Sequence, residues 1–347
     1  MSNSIIAVVG VSAVRFWLDY SQRINYRSYS YKTCERVSLP DDYITKTTPG
    51  YIKTVADSLG LGMPLNVMVS TPSNRHSTKA VRFSLKPKAL PDKSFVRLQP
   101  HQLPAELCKT NTDIYIASPE YCFLSFANRL SLPALIQLGC NLCAGYAYDA
   151  NANLSQVFRP QITSSTSIAN YVFAARGSAG HQRSVRAVRF VCDNSNSPME
   201  TKLAVMSVLP YSEGGYGLGR PQLNKDIILS KTAAESLGRD SCCCDLVWND
   251  EHVAMEYDSN LTHLDKDQHG YDIDKANALS NSGYHLISIT SKGVCNFAAA
   301  ENTFEMVRQL LGRRSRNAIL KKNLKKRQNV YHELFVADAF YAEVTQK

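Results

Sequence analysis

Two short apolar runs around a polar turn, CCCDLVW and VAMEYD on either side of NDEH, constrain this chain more than any other feature. The pattern predicts neighbouring strands over about 242–249 and 252–258. Side chains alternate along a strand, so Glu256 and Asp258 share one face and Met255 and Tyr257 the other. The short turn WNDEH lets Asp245, at the opening of the first strand, approach Glu256. Glu200, on a helix upstream, is the fourth acid of interest. Carboxylates gathered at strand ends repel one another unless a cation sits among them. Carboxylate and carbonyl oxygens suit hard divalent ions such as Mg2+ or Mn2+. Such an ion lowers the pKa of a bound water and stabilises charge developing on a phosphodiester. Acids of this kind are also common as solvated surface or as salt-bridge partners, and that plainer reading stands beside the metal one.

The 347 residues have room for two or three domains. DNSNSP, residues 193–198, is the best linker in the chain. Before it, residues 1–192 read as an α+β unit. Its first 60 residues are mostly helical, with Val14, Trp17, Leu18 and Ile24 at helical spacing. Strands follow at MPLNVMVS, KAVRFSL and TDIYIAS. Ser118 and Pro119 then open the first of two short helices, at about 119–130 and 132–140. VRAVRFVC, 185–192, reads as a strand or the end of the unit. Residues 199–312 run helix, strand meander, helix, strand, helix. This order predicts an α/β sandwich with a central mixed sheet flanked by helices. The Gly-rich SEGGYGLGRPQ lacks the Lys-Ser/Thr of a P-loop and no strand precedes it, so it reads as a mobile loop.

The charge is unevenly spread. From Arg308 to Arg327 there are nine basic residues and no acid: Arg308, Arg313, Arg314, Arg316, Lys321, Lys322, Lys325, Lys326 and Arg327. Without them the chain balances, thirty bases against thirty acids, so the whole net charge of +9 sits here. Such a block meets polyanions, most often nucleic acid, or else is a solvated tail. Residues 313–347 read as a basic helical tail whose cations, with Arg220, contact phosphates without reading sequence.

A composition of 20% charged and 44% hydrophobic residues excludes a wholly disordered chain. No apolar stretch approaches the roughly 18–20 residues of a membrane helix. The apolar patch near the N-terminus has no basic region before it and does not read as a signal peptide. A cytoplasmic protein is expected. Ten cysteines are about 3% of the chain, far from a disulfide scaffold. Cys140 and Cys143 form one CxxC, too few ligands for a tetrahedral zinc site, and both read as core residues, as does the run Cys242, Cys243, Cys244.

The longer string AMEYDSNLTHLDKDQHGYDIDKANALSNSGYHLISIT resembles the nuclease core of very-short-patch-repair endonucleases, within the PD-(D/E)xK or restriction-endonuclease-like superfamily. Glu200 in PMETK, Asp245 in CCCDLVW, Glu256 and Asp258 in EYDS and His263 in LTHLD fall in the family's order. Asp272 and Lys275 in YDIDKANAL follow, then Gly283-Tyr284 before HLISIT. The likeness spans about residues 197–312. It implies a restriction-endonuclease-like fold and divalent-metal-dependent endonuclease activity. By resemblance Asp245 and Glu256 ligate Mg2+ or Mn2+ with the Tyr257 carbonyl, and Glu200 orients a bound water. Asp258 is a further ligand or an orienting acid, and His263 contacts the scissile phosphate or acts as general acid or base. Ser259 stands where the family often has Gly, one extra residue precedes His263, and Lys275 replaces an Arg. The lysine two after the acid is absent, leaving Lys202 or Lys275 to supply a positive charge. SPEYCFLSFANRLSLPALIQLGCNLCAGY, with AVRFW near the start, is similar to proteins near the AbiEi-type abortive-infection antitoxins. That likeness implies a phage-defence or toxin–antitoxin setting and a protein partner such as a toxin. The alternative to a DNA endonuclease is an inactive DNA-binding regulator or antitoxin-like protein with a degenerate nuclease domain.

Overall fold

The computed structural model describes residues 4–18, 35–41, 43–45, 48–74, 78–110, 112–149, 155–258, 266–313 and 321–337. The chain is mixed α/β and divides into two compact units, with the boundary between Val191 and Cys192. Each unit holds a mixed sheet flanked by helices.

The first unit carries strands β1 (Ser4–Val8), β2 (Ile44–Thr45), β3 (Leu65–Val69), β4 (Val81–Leu85), β5 (Phe95–Arg97) and β6 (Thr112–Ala117). Among the described residues they order β4-β3-β1-β6-β5, with β2 also beside β1. β1 is parallel to β6 and antiparallel to β3. A separate hairpin joins β7 (Tyr146–Asp149) to β8 (Ser155–Phe158). The helices are α1 (Gly10–Leu18), α2 (Pro49–Ser58), α3 (Ala105–Cys108), α4 (Pro119–Phe126), α5 (Leu132–Leu142), α6 (Ser165–Ala174) and α7 (His181–Val188). α1 lies on the sheet, where Trp17 Nε1 donates to Ala117 O at 2.7 Å. Ser118 caps α4, accepting from Tyr121 N, as its sequence position predicts.

Two expectations change here. The opening 60 residues are not mainly helical, because Ser4–Val8 forms a central strand. A strand covered on both faces shows a continuous apolar run without alternation, which hides it from a period count. Residues 185–192 are not a strand. Ser184, Ala187, Val188 and Val191 are buried at helical spacing, and Arg183 Nε and Nη2 donate to the carbonyls of Ala127 and Leu130. Cys140 and Cys143 are buried, as expected.

The second unit runs α8 (Pro198–Val208), β9 (Gln222–Ile228), α9 (Lys231–Leu237), β10 (Ser241–Trp248), β11 (Val253–Asp258), α10 (Lys266–Asn281), β12 (His285–Thr290), α11 (Phe297–Leu310) and α12 (Leu324–Tyr331). β9, β10 and β11 form an antiparallel meander, and β12 lies parallel to β11. The stretch 193–198 opens this unit rather than standing apart from it. Ser195 is fully buried and bonds Thr201, and Ser197 caps α8. Cys242 and Cys244 are buried, whereas Cys243 is exposed. Among the described residues no helix is long and apolar enough to cross a membrane.

The Gly-rich stretch is packed, not mobile. Tyr216 and Leu218 are buried, and the backbone N–H groups of Tyr216, Gly217 and Leu218 donate to Met206, Leu209 and Ser207 carbonyls at the end of α8. A Cβ on Gly215 would lie 2.1 Å from the Leu209 carbonyl oxygen, a backbone atom that cannot yield. Gly215→Ala is therefore expected to destabilise the protein by about 1–3 kcal/mol, read as a lowered urea midpoint with unchanged m-value.

Candidate active site

Four elements of the second unit bring ionisable groups together. α8 supplies Glu200 in its first turn. Ser197 Oγ accepts from Glu200 N at 3.2 Å, and Glu200 Oε2 reaches back to accept from Asn196 N at 2.8 Å. SPME is thus a capping box whose glutamate reaches one residue further than usual. β9 supplies Asn224, held at φ 47°, a region that asparagine tolerates better than most residues. Its Nδ2 donates to Glu200 Oε2 at 2.6 Å and to Asn194 O at 2.8 Å.

β10 supplies Asp245 and β11 supplies Glu256. The pairing of these strands runs from Trp248↔Val253 to Leu246↔Met255. One step further, the Asp245 carboxylate itself takes a β11 backbone group: Tyr257 N donates to Asp245 Oδ2 at 2.8 Å. The buried faces also slip here. Cys242, Cys244 and Val247 share one apolar cluster, and the three-residue step from Cys244 to Val247 breaks strict alternation at Asp245. α10 supplies Lys275, whose Nζ donates to Glu256 Oε1 at 2.8 Å.

The electrostatics follow from crowding. Burial, then Glu200 and Glu256, push the Asp245 carboxyl up to about 7, against the opposing pull of the Tyr257 N–H and Lys275. Burial also raises Glu200, opposed by its bonds to Asn196, Ser197 and Asn224 and reinforced by Glu256. Burial works against the Lys275 charge, yet Glu256 holds its ammonium above the ordinary lysine value.

Of the residues read from sequence, Glu200, Asp245, Glu256 and Lys275 therefore come together. Asp258 lies two positions along β11, opposite Thr290, where its charge raises the Tyr257 hydroxyl after burial. Lys202 is half-buried on α8. His263, Arg314 and Arg316 lie outside the described residues. Asn224 had no signal in the sequence, since only strand pairing sets it between Glu200 and β10. The SPME cap was legible.

The basic residues divide. Lys321, Lys322, Lys325 and Lys326 are exposed, and Lys326 Nζ donates to Ser212 O at 2.8 Å. Arg220 pairs with Asp193 at 3.5 Å and Arg313 with Glu251 at 2.9 Å. Arg327 is not a surface cation. It is 1% exposed, bonds Glu301 through Nε and Nη2, and lies over the Tyr216 ring. It leaves the phosphate-contact set because its guanidinium faces α11 and the Gly-rich stretch.

The donor chemistry fits a hard divalent cation. Three carboxylates crowd one another enough to hold a proton on Asp245 near neutral pH, and a cation relieves that repulsion. Among the described residues, no three such side chains already stand close enough to hold an ion. Asp245 is the group to test by pH. Glu200, Glu256 and Lys275 face it from α8, β11 and α10. A carboxyl raised in the folded state favours folding while protonated, so its contribution is lost as pH rises from about 4 through about 7. Asp245→Asn keeps an acceptor for Tyr257 N. It should melt above wild type at pH 8 in EDTA, with the gap closing as pH falls to 4.

No protein-family model, curated protein or solved structure matches this chain.

Proposed function

We propose that the second unit is a divalent-metal-dependent endonuclease that hydrolyses DNA phosphodiester bonds. The observation that carries this reading is the convergence of Glu200, Asp245 and Glu256 with Lys275 where β10 parts from β11. The resemblance to very-short-patch-repair endonucleases supports it. So does the element order, in which a helix, an antiparallel meander, a helix and a parallel strand make a central mixed sheet of restriction-endonuclease-like kind. Asp245 and Glu256, with the Tyr257 carbonyl, are the residues that would hold Mg2+ or Mn2+, and Asp258 is a further ligand or orienting acid. The ion supplies an activated water and charge stabilisation on the phosphodiester. Lys275 fixes the Glu256 carboxylate and brings a cation to the phosphate, the role left open by the missing motif lysine. Glu200, held by Asn196 and Asn224, orients the group beside Asp245. The exposed lysines at 321, 322, 325 and 326 supply phosphate contacts that ignore sequence. A phage-defence or toxin–antitoxin setting rests on the likeness of the first unit alone.

A second reading, an inactive DNA-binding regulator, is favoured by one observation. Glu200 Oε2 already accepts two hydrogen bonds, as a purely structural capping residue does. Plasmid nicking separates the two. With Mg2+ or Mn2+ the protein should nick DNA. Asp245→Ala and Glu256→Ala should lose at least about 100-fold in rate while keeping DNA binding, and Lys275→Ala should fall by a similar factor. Salt-sensitive DNA binding without metal-dependent nicking would replace the enzyme with the regulator.

A further inference from the structure

Beside the carboxylate centre is a second feature that the hydrolase reading does not use. A cleft of about 600 Å3 opens between the start of β10, the end of β9 and α10, a size that suits a nucleotide. Its lining includes Asp226, Arg239, Asp240, Cys243, Tyr271 and Lys275. Lys275 belongs to both places, because its Nζ bonds Glu256 while its stem walls the cleft. The centre and the cleft are therefore contiguous. Arg239 lies 5.4 Å from the Tyr271 ring centroid and Nη1 donates to the Tyr271 hydroxyl at 3.2 Å, so an aromatic ring and a guanidinium form one platform in the wall. The charges are segregated. The half-buried ammonium of Lys275 sits towards Glu256, and the exposed carboxylates of Asp226 and Asp240 lie away from it.

That distribution suits a nucleotide in one orientation. A phosphate is drawn to Lys275 and repelled by Asp226 and Asp240. A neutral base with N–H donors is accepted by those carboxylates and stacks on the aromatic platform. We propose that this cleft seats one unstacked base of a single-stranded or locally opened nucleic acid, next to the phosphodiester at the carboxylate centre. The inference rests on the hydrolase reading for its substrate class and adds that the strand is recognised with a base out of its stack. Duplex DNA with every base stacked does not present such a base, so single-stranded, mismatched or distorted sites are the preferred targets.

The test reads binding by fluorescence anisotropy in an Asp245→Ala background with Mg2+ present. It compares a single-stranded DNA oligonucleotide with one of equal length carrying abasic sites. Tyr271→Ala should weaken the base-bearing strand by about 5- to 150-fold and leave the abasic strand unchanged. Tyr271→Phe, which keeps the ring, should bind both strands as the background does. Equal loss on both strands, no loss on either, or a background that binds neither strand overturns the base seat. Metal-dependent nicking by the wild type judges the hydrolase separately. Nicking together with a silent Tyr271→Ala overturns the cleft alone, and a base-specific loss without nicking overturns the hydrolase alone.

Discussion

The hydrogen bond from Tyr257 N to Asp245 Oδ2 organises the second unit. Up to Leu246↔Met255 the two central strands are joined by ordinary pairing. At Asp245 a side chain takes over a backbone role, and the burial pattern of β10 slips by one residue. A buried carboxylate used as a strand clip is expensive, because removal from water penalises its charge. The neighbouring acids Glu200 and Glu256 add to the penalty, and the result is a carboxyl raised to about 7. A strand junction needed only for stability would be served better by a neutral group. The choice of an acid here, among other acids and a lysine, is what gives the site its chemical character.

The first unit supplies a contrast. Glu120 is also buried, and burial alone would raise it, yet its carboxyl is held below the ordinary value. Arg36 meets it through Nε and Nη2 at 3.3 and 3.0 Å, and Thr163 Oγ1 adds a bond at 2.5 Å. A fork of charged donors compensates a buried acid, and the group then ties one helix start to two distant segments. Asp245 has one backbone N–H and a lysine committed to another carboxylate. The difference between a structural acid and a reactive one lies in the partners, not in the depth of burial.

The basic block shows the same principle from the cationic side. Nine positive charges in twenty residues read as one surface. Folding divides them by helical phase. On α12, Arg327 turns inward to Glu301 and Tyr216 with Val330 and Tyr331, and the lysines beside it turn outward. Arg308 is likewise buried against Glu305 and the Arg313 carbonyl. Arginine suits such buried positions because its planar fork satisfies several acceptors at once, whereas lysine keeps a compact, hydrated charge at the surface.

Local sequence determined the elements whose signals are local. The hairpin of β10 and β11 was legible from apolar runs around a short turn, α4 from Ser118 and Pro119, and the candidates Asp245, Glu256, Glu200 and Lys275 from residue type and order. Signals that depend on burial on both faces were hidden, so the central strand Ser4–Val8 passed as part of a helical region, and α7 passed as a strand because its arginines and apolar residues alternate over a few positions. Only the tertiary structure decided that Lys275 meets Glu256, that Asn224 bridges Glu200 to residue 194, that Cys243 is exposed between two buried cysteines, and that Arg327 faces inward. Each of these is set by the pairing and packing of segments far apart in the chain. A linear pattern records which residue types are present and their period, but it carries no information about which element will lie across from them.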